Sequence, residues 1–447
     1  MSLSAEKSIG IVTQLSVPNL KRLDDTSKQS VEDGDGDEEY GSRVQFVVPQ
    51  TLPLRPIEII GIGTFSTVCR AEAEFGSGKN SFAIKKLQNA LSKDINPTVE
   101  DIARVAREIL ILKTTSHPFL LSAKGVWMSG LDIYIATQHV EFELGALIER
   151  HRRQNTFFPI EQIEMFTFQL LSGLGYLHGV GIVHCDLCPR NILIDRHGHL
   201  CIADFGISRP SFTGVLWNRV KFNRPGITIY TAPEIALNVV HKLKPESDLW
   251  STGCILYELF NNKPFVHTLE PIEIMCNCMS QVLGRPNNDV TKRLYPGVAN
   301  VMNSLFCDGT PKIRTVVPEY FDKNNLVGGK SVEIIETFTS IMKKLITFEY
   351  DKRLDAKDIL KAYAESPIFS TLMTEWDIGK IVYETFVEKD DHLTNVKNAL
   401  KESMKLQLEV QEATGMPEHG KGSHENPAYR LIEESLRNSL ENLQCPP

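Results

Sequence analysis

Between two runs of strand-forming residues, Ile57 to Ile60 and Val68 to Ala71, the chain carries Gly61-Ile62-Gly63-Thr64-Phe65-Ser66-Thr67-Val68. Glycines at 61 and 63 let the backbone approach a bound group with no Cβ in the way, so its amides can face phosphate oxygens. The turn leads into another strand. A dinucleotide-binding crossover would instead open a helix after its glycines. A second turn, Gly76-Ser77-Gly78, introduces Phe82-Ala83-Ile84-Lys85, and the three strands so defined make an antiparallel sheet. From Val99 to Leu112 the apolar residues switch to helical spacing, with Glu100 and Asp101 early and Arg104 and Arg107 later, the order that a helix dipole favours. Lys85 on the third strand and Glu108 on this helix then form a natural pair, because a cation that touches phosphates needs a carboxylate to hold it.

Two further apolar stretches, Leu120 to Val126 and Ile133 to Ala136, complete five strands, and a linker follows at Gln138 to Glu143. From Ile160 onward the spacing is mainly helical, broken by strand-like segments at Ile192 to Ile194 and Leu200 to Ile202. The pattern predicts an α+β protein: a small five-stranded antiparallel β lobe with one helix, then a larger, mainly α lobe. A chain of 447 residues accommodates such a domain, of about 300 residues, with flanking segments. Residues 1–48 are polar, and Val31 to Ser42 gathers six acids and three glycines without a base, so a disordered acidic tail is expected there. With 48 Lys and Arg against 56 Asp and Glu, a net charge of −8 gives no electrostatic attraction to nucleic acid or an anionic membrane. There is no run of about 18 apolar residues. The start lacks a charged-then-apolar signal, and nine cysteines, odd in number and scattered, read as reduced thiols. These features predict a monomer of the cytoplasm or nucleus with neither nucleic-acid nor membrane partners.

Further along come His184-Cys185-Asp186, Asn191, Asp204-Phe205-Gly206, Ala232-Pro233-Glu234 and Asp248-Leu249-Trp250-Ser251-Thr252-Gly253. In this order, after the glycine turn, Lys85 and Glu108, the series resembles the eukaryotic protein kinases over residues 52 to about 400. The resemblance implies a bilobal kinase domain at 52–369, with an N-lobe at 52–137 and a C-lobe at 144–369, a C-terminal extension at 370–411 and a flexible tail at 412–447. It implies ATP and Mg²⁺ as cofactors and protein serine or threonine hydroxyls as acceptors. Asp186 looks like the base that orients the acceptor hydroxyl, and Asn191 and Asp204 look like the Mg²⁺ ligands. Gly61, Ile62, Gly63, Thr64, Phe65, Ser66, Val68, Ala83, Lys85, Thr137, Gln138 and Val140 would surround the nucleotide, with Thr137 gating the pocket behind adenine. Asp248 would brace the catalytic loop, and Glu234 would pair with Arg353.

Val282-Leu283-Gly284-Arg285-Pro286 resembles the branch that contains mitogen-activated and cyclin-dependent kinases, and the insertion Asn287 to Asn325 resembles the mitogen-activated members. Phe386 to Asp391 is similar to their acidic docking patch, which implies basic docking peptides held at Asp390 and Asp391, although an ordinary solvated acidic turn reads the same way.

The loop His184 to Asn191 departs from the pattern twice. Cys188 stands where kinases acting on serine or threonine carry lysine, and a neutral thiol offers the γ-phosphate no charge. Arg190, four residues after Asp186, occupies the place of the cation in the H-R-D-L-A-A-R-N loops of receptor tyrosine kinases. It reads either as a substitute for the missing lysine or as a solvent-facing loop residue. Cys185 stands where arginine receives an activating phosphate, and Phe222-Asn223-Arg224 stands where a T-x-Y pair belongs, so activity is expected not to depend on dual phosphorylation. Thr231 replaces the arginine before A-P-E that proline-directed members use. An active kinase is the leading reading; the alternative is a catalytically impaired pseudokinase that binds nucleotide as a scaffold. Cys185 and Cys188 also spell C-x-x-C, but no second ligand pair with metal spacing accompanies them.

Overall fold

The computed structural model describes residues 11–15, 44–49, 52–62, 66–73, 81–87, 99–129, 132–211, 228–237, 244–267, 272–295, 299–300, 312–314, 316–324 and 329–363. Two strands come first, β1 (Ile11–Leu15) and β2 (Val44–Val48), paired antiparallel with Ile11 opposite Val48. The expectation of a structureless segment through residue 48 fails at these two strands. Phe46 and Val48 are fully buried against Ile59, Cys69, Ala71 and Ile84, so β2 is part of the small-lobe core.

The small lobe is the five-stranded antiparallel sheet read from the sequence. Strands β3 (Leu54–Ile62), β4 (Ser66–Ala73), β5 (Ser81–Leu87), β6 (Ala123–Ser129) and β7 (Asp132–Gln138) lie in the order β3-β4-β5-β7-β6. Successive residues of a strand point to opposite faces. On β5, Ile84 therefore enters the apolar cluster under β2, while Ala83 and Lys85 face the cleft. The helix α1 (Val99–Thr114) lies on the cleft side and buries Ile109, Ile111 and Leu112. The stretch expected as a strand from Leu120 begins as one only at Ala123. Leu120 instead pairs with Ile202 of the large lobe in an isolated bridge: the Leu121 amide donates to Ile202 O and the Ile202 amide donates to Phe119 O, both at 2.9 Å, which fixes the seam between lobes.

The large lobe starts with the short strand β8 (Phe142–Glu143) and the helices α2 (Leu144–Gln154) and α3 (Ile160–Gly179). Short strands β9 (Ile182–Val183), β10 (Ile192–Ile194), β11 (Leu200–Ile202) and β12 (Arg209–Pro210) carry the loops between them. Helices α4 (Pro233–Ala236), α5 (Pro245–Asn261), α6 (Ile272–Leu283), α7 (Asn288–Leu294), α8 (Val316–Lys323), α9 (Gly329–Leu345) and α10 (Ala356–Tyr363) follow. Helix α5 is buried along its length, polar residues such as Asp248 and Thr252 included, the behaviour of a central helix. Among the described residues no helix is long and apolar enough to cross a membrane. The segments 370–411 and 412–447, with Asp390 and Asp391, and the T-x-Y position at 222–224 lie outside the described residues.

Candidate functional site

A cavity of about 500 Å³ opens between the lobes. Its lining brings together Gly61, Ile62, Ser66, Val68, Ala83, Lys85, Glu108, Thr137, Gln138, Val140, Asp186, Arg190, Asn191 and Asp204, all of them named from sequence. Gly63, Thr64 and Phe65 lie outside the described residues. Ile60, Glu143 and Leu193 line the cavity too and were missed. Ile60 immediately precedes Gly61, and Leu193 sits two residues past Asn191. Glu143, an exposed acid at the mouth, has a carboxyl whose pKa is raised by desolvation, against the lowering effect of Arg190. The cavity runs past Thr137 to Leu112, as a small gate residue permits. In the linker, the amide of His139 donates to Ser81 O at 3.1 Å, while Gln138 and Val140 on either side line the cavity.

Lys85 Nζ donates to Glu108 Oε1 at 2.5 Å and lies 3.5 Å from Asp204 Oδ1. Burial alone would lower the Lys85 pKa, but Glu108 and Asp204 outweigh it and hold the ammonium well above its usual value. The same cation, acting against burial, holds the Asp204 carboxyl below the usual carboxylate range. Asp204 has φ +61°, a left-handed conformation that a short polar side chain tolerates.

Asn191 Nδ2 donates to Asp186 O at 2.7 Å and to Asp186 Oδ2 at 3.0 Å. The amide nitrogen is thus committed to Asp186, which leaves the amide oxygen as the end of the side chain that could accept a cation. That oxygen and the half-exposed carboxylate of Asp204 form a hard donor set that suits Mg²⁺. Asp186 itself is pushed above the ordinary carboxylate range by burial, with His184, Asn191 and Arg190 opposing the shift.

One carboxylate anchors this loop from below. Asp248 accepts the amides of His184 at 2.8 Å and Cys185 at 3.0 Å, and lies 2.9 Å from His178 Nε2. Cys185 takes φ +70°, so its unusual backbone is held by that acceptor. Its thiol is pushed well above its usual pKa by burial, with Arg209 and Arg107 acting in the opposite sense. Cys188 is 4% exposed, is absent from the cavity lining, and has a thiol raised by burial to about 11. The exposed Arg190 lies on the cavity wall beside Asp186. Glu234 and Arg353 form the expected pair, at 2.5 and 2.8 Å. Among the described residues no group of three or more His, Cys, Asp or Glu could hold a metal, and Cys185 and Cys188 are both free thiols.

A strand-turn-strand over a cleft, a buried lysine–carboxylate pair and a loop pairing Asp186 with Asn191 define a phosphotransfer site of the kinase type. The family model described as protein kinase domain matches residues 54–363, and the chain belongs to that family. Its relatives include mitogen-activated protein kinase mpkC of Aspergillus oryzae, 30% identical over 310 residues that cover 68% of this chain and 79% of the relative. Mitogen-activated protein kinase hog1 of Blastobotrys adeninivorans is 30% identical over 305 residues, 67% of each chain. HOG1 of Saccharomyces cerevisiae is 30% identical over 310 residues, 67% of this chain and 62% of the relative. The chain is a serine/threonine protein kinase of mitogen-activated type.

Proposed function

We propose that this kinase transfers the γ-phosphate of ATP to serine or threonine of protein substrates without dual phosphorylation of its activation segment, and that Arg190 replaces the missing lysine. The observation that carries the proposal is the placement of cations: Arg190 lines the cavity with Asp186, Asn191 and Asp204, while Cys188 is buried away from it. Transfer by a loose transition state needs positioning and charge neutralisation more than covalent chemistry. Lys85, held by Glu108, fixes the α- and β-phosphates, and Asp186 accepts the hydrogen bond of the acceptor hydroxyl. Asn191 and Asp204 would hold Mg²⁺, which supplies positive charge to the phosphates when bound. Arg190 faces the same volume with a fixed positive charge. Cys185 removes one phosphate-binding arginine, which supports activity independent of that switch. Basic docking peptides at Asp390 and Asp391 and a cytoplasmic or nuclear location complete the reading.

The test is transfer to a serine/threonine peptide library by the wild type and by Asp186→Asn, Arg190→Ala and Cys188→Lys. Activity in the wild type, lost in the first two variants and increased in the third, supports the proposal; full activity in Arg190→Ala overturns the role of Arg190. The buried neutral thiol of Cys188 favours a second reading, a nucleotide-binding scaffold. That reading gains if the wild type binds ATP without transfer.

A further inference from the structure

The acids that line the cleft can be matched to cations one by one. Glu108 and Asp204 share Lys85, at 2.5 and 3.5 Å. Glu141 is tied to Arg196, which is not part of the lining: Nη2 and Nε lie 2.7 and 2.9 Å from Glu141 Oε1. Two carboxylates are left, Asp186 on the catalytic loop and Glu143 at the mouth. Among the described residues of the lining, the other lysine or arginine is Arg190. One cation therefore serves two acids, and it is the cation assigned above to the γ-phosphate.

The backbone enforces this sharing. Glu143 on β8 stands opposite Leu193 on β10, the strand that begins directly after Asn191, so the mouth acid is held in register with the end of the catalytic loop. Helix α2 starts directly after Glu143, and its second residue, Gly145, packs on Arg190: a Cβ there would lie 3.5 Å from Arg190 Cγ and 3.6 Å from Arg190 N. The arginine stem thus rests on the first turn of the helix that Glu143 leads into. Glu143 occupies the N-cap position of α2, but its side chain bonds no amide of that turn, so the carboxylate is not spent on the helix. Burial raises the pKa of Glu143, and Arg190 is the charge that acts against it; at Asp186 burial is again the larger influence, with His184, Asn191 and Arg190 opposing. A guanidinium has donors enough for two acceptors, yet it carries a single charge.

We infer that Glu143 is a positioning residue that competes with the γ-phosphate for Arg190, so that the arginine is only partly delivered to the transferred group. The inference rests on the proposed role of Arg190 and adds to it the group that restrains that residue. Neutralising Glu143 at constant shape releases Arg190 toward the phosphate. The consequence is a gain, which the loss of a merely structural contact would not produce. Glu143 and Arg190 are both exposed, so the pair has the strength of a surface ion pair and the gain is correspondingly modest.

The experiment is calorimetric titration of the full chain, in Mg²⁺, with ADP and with the β,γ-imido analogue of ATP. The ratio of the two affinities isolates the γ-phosphate and cancels any contact that residue 143 makes with the rest of the nucleotide. Glu143→Gln should raise the ratio about fivefold, equivalent to roughly 1 kcal/mol, and raise kcat on a library peptide by a similar factor. Glu143→Asp keeps the charge and should hold the ratio near the wild-type value. In an Arg190→Ala background, Glu143→Gln should change nothing, because the two residues act as one unit. A ratio that Arg190→Ala lowers but Glu143→Gln leaves unchanged would overturn the competition while the role of Arg190 stands. A rise in Glu143→Gln that persists without Arg190, or an equal rise in Glu143→Asp, would also overturn it, the first by showing direct repulsion of phosphate and the second an effect of shape. If Arg190→Ala leaves the ratio untouched, the role of Arg190 and the competition fall together. A wild type that binds the analogue without any transfer, and whose ratio still rises in Glu143→Gln, would keep the competition and sink only the reading as an active kinase.

Discussion

Removing Arg353 offers the most direct measure of how the A-P-E segment is held. The guanidinium is fully buried, and its Nη1 and Nη2 bond Glu234 at 2.5 and 2.8 Å. Further bonds go to Thr347 O at 3.0 and 3.1 Å and to Glu246 O at 3.0 Å, with the Trp250 ring 4.9 Å from Cζ. Arg353→Ala deletes all of these and leaves Glu234, 3% exposed, as an uncompensated buried carboxylate. Breaking a buried pair from one side costs about 3–5 kcal/mol. Replacing both partners, Glu234→Leu with Arg353→Met, removes the stranded charge and should recover part of that loss, because the penalty lies mainly in desolvation. Urea unfolding of the wild type, the single variant and the double variant measures both numbers. A single-variant loss below about 1 kcal/mol would refute the claim that this pair is shielded from water, since that is the value of an exposed pair.

Two further outcomes follow from the geometry. Phe46→Ala, at a residue 1% exposed under the β3–β5 sheet, should cost about 3 kcal/mol in unfolding. It should leave ATP affinity intact, because β2 packs on the face opposite Lys85. The acid limb of kcat/KM should lie above the ordinary carboxylate range, because burial raises the pKa of Asp186 and the base must be ionised. Arg190→Ala takes away a charge that lowers this pKa, so whatever activity remains should disappear at a higher pH than in the wild type; a limb that shifts downward in a pH–rate profile would contradict the placement of Arg190.

Most of the cleft was legible through the resemblance to protein kinases, whose motif positions carry its lining residues. The Lys85–Glu108 pair across 23 residues was also legible from the elements that carry it, a strand and a helix, together with the need of a phosphate-binding cation for a carboxylate. The hairpin of β1 and β2 was not. Its strands are separated by the acid- and glycine-rich run Val31 to Ser42, whose composition dominates any local window, and their pairing is non-local. Glu258 carries no signal of its own in the sequence. Nothing in its neighbours along the chain signals that Tyr230 and Arg152 arrive from two other elements.

The inward turn of Cys188 was equally invisible, since a loop has no period to say which side chain enters the core. That turn changes the meaning of both cysteine substitutions. A side chain at 188 starts behind the cavity wall, among Asp186, Arg190 and the Tyr230 phenol, and a lysine there, longer than the thiol, would have to extend past Asp186 to reach the cavity, where its charge would be less screened by water than that of the exposed Arg190. Arg190 places its charge at the exposed cavity wall, where water screens it. For charges about 4 Å apart the interaction is about 4 kcal/mol at an effective dielectric of 20 and about 1 kcal/mol in bulk water. An exposed arginine therefore replaces only part of a less screened lysine. On the proposed reading the enzyme is slow for an electrostatic reason, and Cys188→Lys should accelerate it even with Arg190 in place.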